Sequence, residues 1–307
     1  MLNLQIIFTF IYLTHTDKFK TNIITEFNNM RSPVTIEEPL KDNFHKICVV
    51  GGGITGAIMV LLLKESNLFE LSDIGWIKPK IKPKNDLRTT FFNKTSMELL
   101  NSLNILKKLK KNNYTTVKKI KVYGSNNASP LEWDCFETKA NLGAVIKNDI
   151  ILNILDEKLR DIKQYDSFVN NTKCTKFERI LYLDNKTSIK THLVLSADGK
   201  NSYLRKLLSI NTINKLNDHI AISGFLKQSR SHDATAIQAF TNLGPIGILP
   251  YEKNIVNFVQ SIEERMFKKI ITKENPEIYL CNELNKFFSH INLQFNPIKN
   301  SNNIENN

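Results

Sequence analysis

The segment Lys46-Ile47-Cys48-Val49-Val50-Gly51-Gly52-Gly53-Ile54-Thr55-Gly56 sets an apolar run directly against a glycine triad. Ile47 to Val50 is β-branched except for one Cys and shows no polar alternation, so it reads as a buried parallel strand. Gly51 permits a tight turn, Gly53 lets the backbone come close to a phosphate, and Gly56 lets the next helix pack tightly against the strand. From Ile54 the pattern turns helical, through Ala57, Ile58, Val60, Leu61 and Leu62 to Lys64. A helix N-terminus with free N–H groups then points at the anion. Strand, spacing and helix together predict a dinucleotide pyrophosphate site; the glycines alone would suit any surface turn.

A ribose-binding Asp or Glu is expected about 20 residues on, at the end of the second strand. Ile74 to Ile77 reads as that strand, and it runs into Lys78, Pro79 and Lys80. Asp73 precedes the strand and Asp86 lies well beyond it. The loop therefore specifies a dinucleotide without naming it.

The chain has 307 residues, 41% of them hydrophobic, enough for one large or two moderate domains with a true core. Its net charge of +12 comes from 42 basic residues, of which only seven are Arg, and these are scattered rather than banded. With abundant Asn and Ile, the Lys excess looks like the bias of an A+T-rich coding sequence. No helix-turn-helix, zinc-finger or RNA-binding pattern is present, and aromatics do not interleave with the basic residues, so nucleic acid is not an expected partner. Weak attraction to an anionic membrane surface is expected instead. Cys48, Cys135, Cys174 and Cys281 form no C-x-x-C pair and have no His at ligand spacing, which predicts a reducing compartment and no structural metal. Leu2 to Leu13 is apolar but too short to span a bilayer, has no basic flank, and is followed by no small-residue cleavage site. Residues 1–44 read as an extension outside the fold, with Met30 as an alternative start.

Further along, Thr95 and Glu98 have capping-box spacing before a helix striped by Leu99, Leu100, Leu103 and Leu106. Lys118 to Tyr123 alternates like a strand with Ile120 and Val122 inward, and Gly124 to Pro130 ends it as a turn. Leu142 to Ile146 is another apolar segment, and Asn148 opens a helix with Ile151, Leu152, Leu155 and Leu159 on one face. Ile180 to Leu183 and Ser188 to Lys190 suggest a hairpin turning at Asp184-Asn185-Lys186. Leu193 to Ser196 reads as a second buried strand that ends on Ala197-Asp198-Gly199. If the sheet is parallel, Asp198 lies at the carboxyl edge where ligands bind, although Asp-Gly is also a common turn. From Ala221 onward short strands dominate, which implies a second sheet in another domain; past Asn296 the Asn-rich tail is expected to fray.

Four segments, in order, resemble the FAD-dependent aromatic hydroxylases of ubiquinone biosynthesis, a branch of the monooxygenases with the p-hydroxybenzoate hydroxylase fold. Gly51-Gly52-Gly53-Ile54-Thr55-Gly56 resembles the family's pyrophosphate loop. Arg88, in Asp-Leu-Arg before a Ser- and Leu-bearing helix, matches an arginine near the flavin and pyrophosphate, and Leu142 to Asn148 resembles the segment preceding the next helix of the FAD domain. Ala197-Asp198-Gly199, with Asn201-Ser202 and Arg205, is similar to the second fingerprint, whose Asp serves flavin and reduced nicotinamide. His232 to Gln238, Phe240 to Gly244-Pro245 and Leu249-Pro250 resemble the substrate-domain strands.

The resemblance implies an α/β fold, a Rossmann-like FAD-binding domain with a parallel sheet plus an interleaved substrate domain with a mixed β-sheet. The expected boundaries are 45–116 and 143–210 for the FAD-binding domain, 117–142 and 211–270 for the substrate domain, and 271–307 for a C-terminal segment with a frayed tail. It implies FAD as cofactor, NADH or NADPH as co-substrate, and oxygen-dependent hydroxylation of an aromatic ring bearing a polyprenyl tail. His232, Gly244 and Pro245 become substrate-side candidates, and no catalytic acid or base is assigned. Other ubiquinone-biosynthesis proteins are expected partners, and the expected location is cytoplasmic, peripheral to the inner membrane. The family's third fingerprint, a Gly-Asp loop, has no counterpart after Tyr251. The chain is therefore expected to be shortened at its C-terminal end, and a non-catalytic remnant that binds flavin weakly or not at all is the alternative.

Overall fold

The computed structural model of the chain describes residues 43–79, 88–124, 129–138, 140–213, 218–298 and 305–306. Residues 1–42 of the expected extension, Lys80, Asp86, the middle of the turn after Tyr123 and most of the tail lie outside the described residues. The chain divides into two compact units, one running to residue 82 and resuming over Leu152–Thr212, the other comprising 83–151 and the chain from Ile213.

The first unit is a six-stranded sheet. It contains β1 (Phe44–Val50), helix α1 (Ile54–Glu65) and β2 (Ile74–Ile77). The second unit opens with β3 (Thr89–Asn93), α2 (Lys94–Ser102), β4 (Tyr114–Val117), β5 (Lys119–Tyr123), β6 (Leu131–Asp134) and β7 (Gly143–Lys147), and the chain returns to the first within α3 (Asn148–Lys158). There it adds β8 (Lys163–Tyr165), β9 (Val169–Cys174), β10 (Arg179–Leu183), β11 (Ser188–Ser196) and the short α4 (Tyr203–Leu207). The strand order is β8-β2-β1-β11-β10-β9, with β1 parallel to both β2 and β11. The strand order thus runs away from β1 in both directions, so the carboxyl end of β1 is a topological switch point.

Residues Ile47 to Val50 are buried as their unbroken apolarity requires. Gly75, inside a strand buried along its length, has a specific cause. A Cβ there would lie 2.6 Å from the ring of His45. That ring is itself buried, its Nδ1 donating to the Ser72 carbonyl and its Nε2 accepting from the Tyr165 hydroxyl, both at 2.7 Å. Burial holds His45 below its ordinary pKa against the opposing pull of the Ser72 bond, and it pushes Tyr165 up to about 12. A neutral imidazole therefore ties β1 to β8 across the glycine.

The second unit continues with β12 (His219–Gln228), β13 (Thr235–Thr241), β14 (Gly244–Glu252), β15 (Ile255–Glu263), α5 (Glu264–Ile271), α6 (Pro276–Phe287), β16 (Phe295–Pro297) and β17 (Glu305–Asn306). Its mixed sheet runs β16-β12-β15-β14-β13-β5-β6, with β17 also on β12, and β13 pairs β5 in parallel. A smaller antiparallel sheet, β3-β7-β4, belongs to the same unit. Its main core joins Ile222, Ile246, Phe258, Ile262 and Phe295 of the sheet to Phe267, Leu280, Leu284 and Phe288. Thus residues beyond 271, read from sequence as a separate C-terminal segment, supply part of this core.

Several local expectations differ from the structure. Helix α2 starts at Lys94, and Asn93 is its N-cap, its side chain accepting from the Ser96 N–H at 2.9 Å. Asn caps as well as Thr does and ends β3 two residues before Thr95. On β5 it is Tyr123 that enters the main core, whereas Ile120 packs against the small cluster of Val117, Val145 and Ala236. The hairpin strand and the strand before Ala197 are one nine-residue strand, β11, and its last four residues are half-buried or exposed rather than buried. Strands β12 to β15, expected to be short, are seven to ten residues long.

Gly75→Ala is expected to destabilise the fold by about 1–3 kcal/mol, the usual penalty for overpacking a filled core. Urea unfolding followed by Trp fluorescence measures it, and an unchanged midpoint would contradict the role given to the His45 ring.

Candidate functional site

The glycine loop sits at the switch point of the first unit. Gly51 adopts φ +136°, open in practice only to glycine. Its N–H donates to the Ile77 carbonyl and its carbonyl accepts from Trp76 Nε1, each at 2.9 Å. A Cβ on Gly51 would lie 2.1 Å from the Ala197 carbonyl oxygen, and one on Gly56 would lie 2.2 Å from the Gly51 oxygen. The glycine loop and the Ala197-Asp198-Gly199 segment, found separately in the sequence, are thus in backbone contact, and Ala197 N–H donates to the Val50 carbonyl at 2.7 Å. Trp76 belongs to no motif; its signal is that an indole in a buried strand needs a partner for its N–H.

Gly52 and Gly53 are exposed, and a Cβ on Gly53 would meet nothing within 4 Å. Gly53 is the N-cap of α1, which has no side-chain cap and no acidic residue in its first turn. Bare N–H groups, the positive end of a twelve-residue helix and open space above glycine fit a pyrophosphate. The end of β2 does not offer the usual ribose acceptor. Lys78 stands there, its Nζ 2.6 Å from Asp156 and 4.0 Å from the centre of the Trp76 ring.

Asp198 lies at the carboxyl edge, as the parallel pairing of β1 with β11 requires. One carboxylate oxygen accepts from Ser196 Oγ at 2.6 Å; the other accepts from the N–H groups of Tyr203 at 2.8 Å and Leu204 at 3.3 Å. Burial pushes this carboxyl up, but bonds from the Ser196 and Ser202 hydroxyls and the Leu204 N–H outweigh it and hold the group below its usual range. Gly199 takes φ +82°, and Arg205 turns its guanidinium back onto the Lys200 carbonyl at 3.1 Å.

The remaining candidates belong to the second unit. Arg88 is exposed, and its carbonyl accepts from the Asn148 N–H at 3.1 Å; Thr90 Oγ1 donates to Asn148 Oδ1 at 2.7 Å. The Arg88 segment and the Leu142–Asn148 segment therefore lie side by side, as the pairing of Thr89 with Lys147 also records. His232 closes the turn before β13: Nδ1 accepts from the Ala234 N–H at 3.1 Å, while Nε2 is buried with no partner among the described residues. Burial lowers its pKa against the pull of Asp233. Gly244 and exposed Pro245 begin β14, opposite Thr241 and Phe240. His232 and Gly244 thus lie at opposite ends of the β13–β14 hairpin, about 20 Å apart at strand rise. Among the described residues no group of His, Cys, Asp and Glu could hold a metal ion, and no helix is long and apolar enough to cross a membrane.

Because the folded pKa of Asp198 is depressed, the stability it contributes is full above the unfolded value of about 3.9 and is lost as pH falls through the folded value. Asp198→Ala is expected to cost about 1 kcal/mol at pH 6 through loss of the α4 cap, and the difference from wild type should shrink below pH 4. Thermal melts of both proteins across that range check the sign; a gap that widens in acid would contradict it.

Comparison with known proteins gives one consistent set of relatives. The chain is 24% identical over 290 residues to the ubiquinone biosynthesis monooxygenase COQ6, mitochondrial, of Dictyostelium discoideum, covering 81% of this chain and 58% of that protein. It is 26% identical over 264 residues to the Caenorhabditis elegans protein of the same name, covering 79% and 57%. The chain thus spans little more than half the length of these curated relatives. No family model matches. Among solved structures, PqsL of Pseudomonas aeruginosa, described as a probable FAD-dependent monooxygenase, shares the fold at TM-score 0.66 and 12% identity, covering 83% of this chain and 74% of that one. The p-nitrophenol 4-monooxygenase PnpA of Pseudomonas putida does so at TM-score 0.61 and 10% identity, covering 83% and 66%. With the glycine loop and Ala197-Asp198-Gly199 meeting at the end of β1, the chain is thus similar in sequence to ubiquinone biosynthesis monooxygenases and shares the fold of FAD-dependent monooxygenases.

Proposed function

We propose that the chain binds FAD at the Gly51–Gly56 loop and serves the hydroxylation of an aromatic ring carrying a polyprenyl tail, a ubiquinone precursor, with NADH or NADPH and oxygen. The observation that carries this reading is the open, uncapped N-terminus of α1 beneath Gly52 and Gly53, at the switch point where Asp198 also stands. The flavin, when bound, supplies the electron transfer and oxygen chemistry. The chain's own residues hold and orient it. Backbone N–H groups at Gly52, Gly53 and the first turn of α1 receive the pyrophosphate, and Ala197-Asp198-Gly199 borders the same edge with its carboxylate ionised.

On the substrate side the candidates are His232 at one end of the β13–β14 hairpin and Gly244-Pro245 at the other. A ligand that reaches both must be long, which suits a ring with a polyprenyl tail better than a small phenol. Such a substrate resides in a membrane, so the reading has the chain working peripherally at a membrane surface, where contact with other proteins of the pathway would deliver the substrate. The relatives carry "mitochondrial" in their names.

Addition of FAD to the purified chain is expected to produce bound-flavin absorption bands that survive gel filtration. Gly53→Asp is the informative variant. Its backbone (φ −78°, ψ 176°) suits an Asp N-cap, so the fold should gain a few tenths of a kcal/mol while the carboxylate repels the pyrophosphate and abolishes flavin retention. A wild-type chain that retains no flavin, or a Gly53→Asp variant that retains it undiminished, would overturn the reading.

A further inference from the structure

We propose that Trp76 is a positioning residue for the dinucleotide, setting the Gly51–Gly52 peptide so that the Gly52 N–H faces the pyrophosphate. The inference rests on the FAD reading given above and assigns to β2 a task different from the ribose contact expected of it.

A trans peptide is planar, and its C=O and N–H point in opposite directions. The Gly51 carbonyl and the Gly52 N–H belong to one such plane. Trp76 Nε1 holds that carbonyl at 2.9 Å from within β2, and its ring is fully buried, so no water competes for the bond. The Gly52 N–H must then point away from Trp76, on the side where Gly52 and Gly53 are exposed. The opposite setting of this plane would present a carbonyl oxygen to the anion and leave the indole N–H buried without a partner. The flanking contacts do not fix the plane as directly. The Gly51 N–H bond to Ile77 belongs to the preceding peptide, and the contact with Gly56 constrains only how far the carbonyl can move.

Lys78 reinforces the arrangement. Its Nζ lies 4.0 Å from the centre of the Trp76 ring, and a Cβ on Gly52 would come within 3.1 Å of the Lys78 Cβ. A cation over an indole face draws electron density from the ring and makes the N–H a better donor. The residue that replaces the expected acid at the end of β2 thereby acts on the loop through Trp76.

Trp76→Phe keeps most of the buried ring and removes the donor. Titration with FAD followed by flavin fluorescence, and with ADP followed by calorimetry, tests the assignment, because both ligands carry the pyrophosphate. Both affinities are expected to fall tenfold or more and to the same extent, while riboflavin, which has no phosphate, binds Trp76→Phe and wild type alike. Trp76→His, which can offer a ring N–H, should recover part of the loss. If the melting temperature falls but FAD and ADP bind Trp76→Phe as they bind wild type, Trp76 only fills space and the proposal fails. If the wild-type chain itself binds neither ligand, the FAD reading fails first. A Trp76→Phe variant too unstable to titrate is replaced by Lys78→Met, for which a two- to fivefold loss toward FAD and ADP is expected and no change would count against the proposal.

Discussion

One peptide group holds the first unit's functional edge together. At Gly51 three backbones approach more closely than any side chain allows: the end of β1, the start of α1 through Gly56, and the Ala197 carbonyl after β11. Each approach is set by the parallel pairing of β1 with β2 and β11, which brings Ile77, Val50 and Ser196 to one level of the sheet. A methyl group at residue 51 would overlap the Ala197 oxygen at 2.1 Å, and one at residue 56 would overlap the Gly51 oxygen. Either would force α1 or the Asp198 segment off the sheet edge. The spacing of the glycines is therefore a statement about strand packing before it is one about phosphate, and Gly53, which packs against nothing, is the one whose smallness serves a ligand alone.

That distinction explains what could be read from the sequence. Strand β1, helix α1 and strand β2 were legible because local signals agree there: unbroken apolarity, a glycine triad, then a helical period. The parallel pairing that brings Asp198 to the loop was legible only conditionally, since nothing in Ala197-Asp198-Gly199 says which strand lies beside it. Strand β11 was read as two pieces because its first half pairs with β10 as a hairpin and its second half lies against β1, so its burial follows no single pattern. On β5, Lys119 and Lys121 share a face with core-bound Tyr123 and pair there with Asp134 and Glu132 of β6, which hides the true inward face from an apolar count. Phe288 and Phe295 were hidden in another way: they sit in an Asn-rich stretch yet are fully buried.

Trp76 and Lys78 mark the limit of motif reading. A fingerprint search at the end of β2 looks for a carboxylate and, finding Lys78, records only an absence. What stands there is a cation paired with Asp156 and laid on an indole whose N–H reaches the loop. No spacing rule encodes that link, because it runs sideways between neighbouring strands. It becomes visible only when the partner of a buried Trp is asked for.

The two helix N-termini at this edge are treated in opposite ways. The five-residue α4 is capped twice: Ser202 accepts from the Arg205 N–H, and Asp198 accepts from Tyr203 and Leu204. The twelve-residue α1 begins on a glycine with no side-chain acceptor and no acidic residue in its first turn. A glycine cap leaves a helix a few tenths of a kcal/mol less stable than a Ser or Asp cap. Ser or Asp would fit the Gly53 backbone, so the deficit is not imposed by geometry. The N–H groups left open are those an anion would take, and binding to the folded state alone would return the lost stability by mass action. Asp198, by contrast, has both oxygens engaged, so its first task is to hold α4 against the edge; any contact it makes with a ligand is made from a carboxylate already fixed in place and ionised.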